Sequence, residues 1–221
     1  MKRNINMNEI SDGKLYGLND LVKAECNDCK GCSDCCRGMG NSIILDPYDI
    51  YRLTVGLNVT FEQLLGGYAE LNVVDGIILP NLRMSGNDER CMFLNEAGRC
   101  SIHSIRPGIC RLFPLGRIYE NGTFQYFLQV KECSNKNRTK VKVKKWIDTP
   151  DISEYEIYIA DWHNLLMELE QRIEEHSEDS FVKQVSMAVL NTFYIRSYDS
   201  KTSFYPQFYD RLEELKKVIN I

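Results

Sequence analysis

The residues best able to do chemistry in this chain are its nine cysteines, all of which lie between positions 26 and 133. Cys26, Cys29, Cys32, Cys35 and Cys36 crowd into one short run, and Cys91, Cys100, Cys110 and Cys133 follow at wider intervals. Thiolates are soft ligands for transition metals, and the interval of three residues through Cys29, Cys32 and Cys35 is the one with which bacterial ferredoxins wrap an iron–sulfur cluster. The same interval runs back to Cys26. One such pair alone would equally suit zinc. The adjacent Cys35 and Cys36 diverge in an extended or turned segment, so they fit two metals, or two atoms of a polynuclear centre, better than one tetrahedral ion. Eight or nine cysteines could then supply two four-sulfur sites. Burial as small hydrophobes offers no reason for this spacing, although for Cys133 alone it stands as an equal reading.

His103, between Cys100 and Cys110, reads either as a ligand or as a donor behind the ligands. His163 and His176 fall on helical patterns and read as surface or packing residues. Arg106 and Arg111 have a use beside a negatively charged thiolate cluster, as hydrogen-bond donors to sulfur, with an ordinary salt bridge as the alternative. Pro107 and Pro114 read as turn-fixing residues between ligands.

Around these residues the pattern is of short elements. Ser42 to Leu45 reads as a strand, and Asp46-Pro47 as the start of a helix carrying Ile50, Leu53 and Leu57, with Gly56 near its end. Thr60-Phe61-Glu62-Gln63 has the form of a capping box. Asp75-Gly76 and Asn121-Gly122 are tight-turn signals, the second joining Leu115–Glu120 to Thr123–Val130. The basic stretch 136–145 reads as a linker or an exposed edge with lysine alternating against Val141 and Val143. Beyond it come three amphipathic helical patterns, beginning near Tyr155, Phe181 and Phe208. The expected class is therefore α+β: a small metal-stabilised cysteine-rich domain with short strands and helices, followed by a helical C-terminal extension. The expected divisions are a lead segment 1–25, a cysteine-cluster domain 26–135, and a basic linker with helical extension 136–221.

The net charge is −4 and the pI about 5.5, which argues against a nucleic-acid footprint. The first residues hold no apolar core of a secretory signal, and no apolar run is long enough to span a bilayer. A reducing cytoplasm is expected, where metal binding explains clustered cysteines better than disulfides do. Glycine-rich nucleotide loops, HExxH and GxSxG do not occur, and the radical-SAM spacing CxxxCxxC does not fit.

The assembled residues resemble the YkgJ-like cysteine-cluster family of zinc- or iron-chelating domains. Its CxxCxxCC hallmark is matched by Cys29, Cys32, Cys35 and Cys36. A second block resembles Cys91-Met92-Phe93-Leu94, Cys100-Ser101-Ile102-His103, Arg106-Pro107 and Cys110-Arg111-Leu112-Phe113-Pro114. The resemblance spans roughly residues 26 to 133, and Cys26 is extra to the hallmark. Flagellin lysine-N-methylases carry a similar cysteine domain, which implies methyl transfer to protein lysine as one activity, although those proteins are longer. The expected function is an iron–sulfur protein with a cofactor of the [4Fe-4S] type, its metal ligands drawn from Cys29, Cys32, Cys35, Cys36, Cys91, Cys100, Cys110 and Cys133, used for redox or group-transfer chemistry. The alternatives are a zinc-stabilised, non-catalytic interaction module whose helical extension binds a protein partner, and a metal-handling protein.

Overall fold

Two capping boxes set the first helices. Asp46 accepts the Asp49 N–H at 2.8 Å while Asp49 accepts the Asp46 N–H at 3.3 Å, with Pro47 in the first turn. Helix α2 (Pro47–Leu57) follows, after a single turn α1 (Met7–Ile10). Thr60 and Gln63 make the second reciprocal pair and start α3 (Phe61–Gly67). Each box satisfies backbone donors that a helix start leaves without partners.

The computed structural model describes residues 6–26, 32–135, 137–176 and 178–219. After α3 the chain forms a hairpin of β3 (Ala69–Val74) and β4 (Ile77–Leu82), turned by Asp75 at φ 48° and Gly76 at φ 84°. Positive φ at both central residues is what a right-twisted two-residue hairpin demands. The pair β5 (Met84–Ser85) and β6 (Arg90–Cys91) comes next, then the short helix α4 (Gly108–Leu112). A second hairpin of β7 (Leu115–Glu120) and β8 (Thr123–Gln129) turns at Asn121 and Gly122, also both at positive φ.

The N-terminal segment completes the sheets. Strand β1 (Ser11–Tyr16) adds to β8, giving the antiparallel order β1-β8-β7. Strand β2 (Leu21–Glu25) pairs with β9 (Thr139–Lys142), Leu21 opposite Lys142 and Glu25 opposite Thr139. The lysine-alternating stretch is thus a strand in its middle, and its C-terminal end winds into α5 (Val143–Ile147), which buries Val143, Trp146 and Ile147. The segment from Ser42 to Leu45 differs from the expected strand. It makes one bridge, Ile44 to Asn81, before the Asp46 cap turns the chain into α2.

Three longer helices close the molecule: α6 (Ile152–Glu175), α7 (Asp179–Leu190), which continues into a π-helical turn over Asn191–Ile195, and α8 (Phe204–Ile219). Along α6, Tyr155, Tyr158, Ile159, Trp162, Leu165, Leu166 and Leu169 are buried at helical spacing. They pack in one continuous core with Leu45, Ile50 and Leu53 near α2, with the β3–β4 hairpin, and with Phe93, Cys91 and Ile102 of the cysteine-bearing segments. Tyr158 Oη donates to Asp46 at 3.0 Å and accepts the Tyr48 N–H at 3.1 Å, and Tyr194 Oη donates to the Leu45 carbonyl at 3.1 Å. The boundary near residue 135 is thus one of cysteine content, and hydrophobic packing crosses it. A second, smaller core gathers Tyr16, Val22, Ala24 and Cys26 with Leu115, Tyr126 and the α5 residues.

Candidate metal centre

Cys35 and Cys36 sit in a 3-10 turn, Asp34–Cys36, closed by Cys36 N–H to Ser33 O at 2.9 Å. The turn is fastened to β6: Arg37 bridges Arg90, the Gly38 N–H reaches Glu89 O at 3.1 Å, and Arg37 pairs with Asp88. That docking brings the pair beside Cys91, which lies in β6 and is almost fully buried. Cys100 returns to the same place because Leu94 bridges it across an Asn95–Arg99 turn, and the Ser101 N–H donates to Phe93 O at 2.8 Å.

Cys110 is carried by α4. The Gly108 N–H donates to Asp49 Oδ1 at 2.7 Å, so a carboxylate of α2 fixes the start of the helix that presents the thiol. A side chain at Gly108 would collide with the Tyr155 hydroxyl of α6, and one at Gly56 would collide with Ile105. Both glycines are therefore close-approach positions. Burial, with Asp46 beside it, pushes the Asp49 carboxyl well above the ordinary carboxylate range.

These segments enclose one cavity of about 50 Å³, whose wall includes the thiols of Cys32, Cys35, Cys36, Cys91, Cys100 and Cys110. Arg99, His103, Arg106 and Pro107 complete its polar side, and Phe93, Ile102, Leu82 and Ile43 contribute apolar surface. Among the described residues no cysteine is in a disulfide. Arg106 Nη1 meets His103 Nε2 at 2.9 Å, while Arg106 Nε is buried with no hydrogen-bond partner among the described residues. A hydrogen bond from Cys36, with Arg106 acting in the same direction, brings the Cys35 thiol down to about 7 in spite of its burial. Its partner Cys36 is pushed up by giving that hydrogen bond and by burial. Burial also raises Cys91 and Cys100, and raises Cys110 strongly.

Six of the expected ligands thus share a wall with Arg106 and His103. Cys29 lies outside the described residues. Cys133 and Cys26 are not on the cavity wall, and burial raises the Cys133 thiol above its ordinary value. Arg111 is buried at 4% exposure and spends its guanidinium on main-chain oxygens: Nε donates to Arg106 O at 3.0 Å, and its two other nitrogens reach Asp148 O and Ser104 O. It clamps the turn that holds Cys110. Asp49 and Arg99 are site residues that the sequence reading did not single out. Asp49 reads locally as the third helical residue of a capping box, and only the distant Gly108 shows its second task.

Among the described residues, no three His, Cys, Asp or Glu side chains are arranged to hold a single metal ion. The donors nonetheless suit a thiophilic group: sulfurs round a void, a guanidinium nitrogen with no acceptor, and space for roughly three to five water-sized spheres.

A thiol-lined cavity of this kind, on short elements tied by turns, defines a metal-chelating cysteine module. The chain belongs to the CxxCxxCC family, whose description is "Putative zinc- or iron-chelating domain" and whose model matches residues 28–145. No curated protein and no solved structure matches it.

Proposed function

We propose that the cavity holds an iron–sulfur cluster and that the protein uses it for electron transfer. The observation that carries this reading is the distribution of the cavity thiols. They line a void larger than a bare ion, and among the described residues no three converge on a point. Zinc in structural sites wants four donors closed tetrahedrally at about 2.0–2.3 Å. A polynuclear cluster takes one sulfur per iron, so its ligands stand apart, as Cys91, Cys100 and Cys110 do on three separate elements.

When bound, the cluster supplies one-electron chemistry at a potential set by its ligands and surroundings. The chain's own residues shape those surroundings. Arg106 offers its buried Nε to the developing negative charge, and Phe93, Ile102 and Leu82 exclude water from the sulfurs. His103 fixes the Arg106 guanidinium from the side. Protein lysine methylation is the less favoured use, because pockets for ligands the size of S-adenosylmethionine run to roughly 300 Å³ and more, against about 50 Å³ here.

The test is metal and acid-labile sulfide analysis, with a visible spectrum, on protein purified without oxygen. Iron and sulfide in comparable amounts, with broad absorption in the visible, are expected. Zinc without sulfide would overturn the reading and make this a zinc-stabilised module.

A further inference from the structure

We propose that the outer edge of β3 docks an extended segment of a partner protein, in which apolar residues alternate with Lys or Arg. The segment binds by adding a strand to the β3–β4 hairpin. Two observations carry this: the direction in which the β3 main chain points, and the charge of the chain around it.

The direction is fixed from β4. The Ile78 N–H donates to Ser186 Oγ of α7 at 3.2 Å, the Pro80 carbonyl accepts the Leu45 N–H at 2.8 Å, and the Leu82 N–H donates to Ile43 O at 2.9 Å. Residues 78, 80 and 82 therefore turn these main-chain groups away from β3. Their partners across the hairpin are Val73, Leu71 and Ala69. In an antiparallel ladder both members of such a pair face outward, so the N–H and C=O groups of Leu71 and Val73 point away from β4. That edge of β3 pairs with no strand among the described residues.

Exposed strand edges are ordinarily guarded by lysine, proline or a bulge. Strand β1 has a register shift with Asp12 and Lys14, β2 has a shift with Lys23, and β9 carries Lys140 and Lys142. Strand β3 has none of these, and its pairing with β4 runs unshifted from Ala69 to Val74. On one face it shows Leu71 at 42% exposure and Val73 at 69%. On the other, Glu70 accepts hydrogen bonds from the Asn72 and Asn81 amides.

Charge selects the occupant. Between Arg52 and Arg83 the chain holds Glu62, Glu70 and Asp75 and no Lys, Arg or His, and this stretch builds α3, β3 and β4. A second copy of the chain would set these acids against themselves. An added strand of period two lays its apolar residues beside Leu71 and Val73, and its intervening side chains then stand on the Glu70 face, where Lys or Arg meets opposite charge. Leu82, at the end of β4, lines the thiol cavity. The docked segment thus brings its partner to the hairpin that forms part of the cavity wall.

The experiment uses the full-length protein and a fluorescein-labelled peptide, Lys-Val-Lys-Val-Lys-Val-Lys, with fluorescence anisotropy and hydrogen exchange resolved to single amides. The peptide should bind and protect the Leu71 and Val73 amides, while those of Asn72 and Val74, which face β4, change little. A counterpart with Glu in place of Lys should not bind, nor should one with N-methylated valines, which cannot form the ladder. Val73→Pro removes an outward donor and no bond to β4, a place where edge strands accept proline. It should weaken the peptide about tenfold, the loss of one backbone hydrogen bond, and melt close to wild type. Val73→Lys keeps that donor and sets a like charge against the peptide, so it should weaken binding too, and it decides the matter if Val73→Pro does not fold. No binding of the basic peptide, equal binding of the acidic or N-methylated one, or binding without protection at Leu71 and Val73 would overturn the proposal. So would a dimer in analytical ultracentrifugation that protects the same two amides without peptide, which would assign the edge to a second copy.

Discussion

Cys35 is the thiol through which the cavity is most exposed to single-residue change. It takes a hydrogen bond from Cys36, lies near Arg106, and sits in a 3-10 turn whose partner strand carries Cys91. Replacing its sulfur with an alcohol oxygen removes a soft ligand and leaves a hard, protonated one. We expect Cys35→Ser to lose most of its metal and to melt at a lower temperature than wild type, measured by metal analysis and thermal unfolding side by side. Unchanged metal content and melting temperature would remove Cys35 from the ligand set. At this scale the sequence was informative wherever ligands are neighbours in the chain, because spacing alone makes Cys32, Cys35 and Cys36 a group. It was uninformative where the partner is distant. Nothing near Asp49 announces Gly108, and nothing near Arg111 announces that its guanidinium is spent on the carbonyls of Ser104 and Asp148.

The element on which the site turns is α4, five residues that would not hold a helix alone. It is held by Asp49 at its start, by Arg111 on its flank, and by the fit of Gly108 beneath Tyr155. A methyl group at Gly108 has to push the Tyr155 hydroxyl aside. Gly108→Ala should therefore cost about 1–3 kcal/mol, the range for overpacking a filled site, as read from urea unfolding. Adding Tyr155→Phe should recover part of that loss, since it removes the atom in collision. If the single substitution proves neutral, α4 is not seated as described. Elements with local instructions were readable in advance: the Asp46 cap with Pro47, the Thr60 capping box and both positive-φ hairpins follow from residues within four positions of each other. Strands β1 and β2 were not. The burial pattern of β1 has four consecutive exposed residues, and the alternation in β2 covers only five residues, so pairing with β8 and β9 is what makes them strands.

For the whole molecule, the long helices supply much of the wall against which the cysteine segments pack. Tyr155, Tyr158 and Trp162 of α6 are each under a tenth exposed and share a core with Cys91 and Phe93. Burying large side chains of this kind stabilises by roughly 1.5–3 kcal/mol each, and a fold of this size has only about 5–15 kcal/mol in total. A chain ending at residue 150 keeps the whole family-matched region and loses α6 to α8. It should show no cooperative thermal transition, as followed by near-ultraviolet circular dichroism, and retention of a sharp transition would make the cysteine region an independent unit. A second property is set by His163 of α6, whose ring stacks on Tyr119 with centroids 3.6 Å apart. Burial holds its pKa down to about 4. The folded state thus prefers the neutral ring, and the unfolded chain takes up its proton near 6.5. Stability should fall as pH drops from about 6.5 towards 4, and His163→Phe should flatten that part of the profile. An identical slope in the two proteins would show that other groups set it.

The pairing of Ser11 with Gln129 and of Leu21 with Lys142 has a consequence for biosynthesis. The first two strands leave the ribosome long before the strands they pair with, and almost all of the cysteine region is made in between. Until β8 and β9 emerge, the thiols have no finished wall around them, and non-local pairing of this kind is slow to form. The wall of the cavity is therefore finished only when the chain is largely complete. Thiols made early thus wait, uncovered, for strands made late.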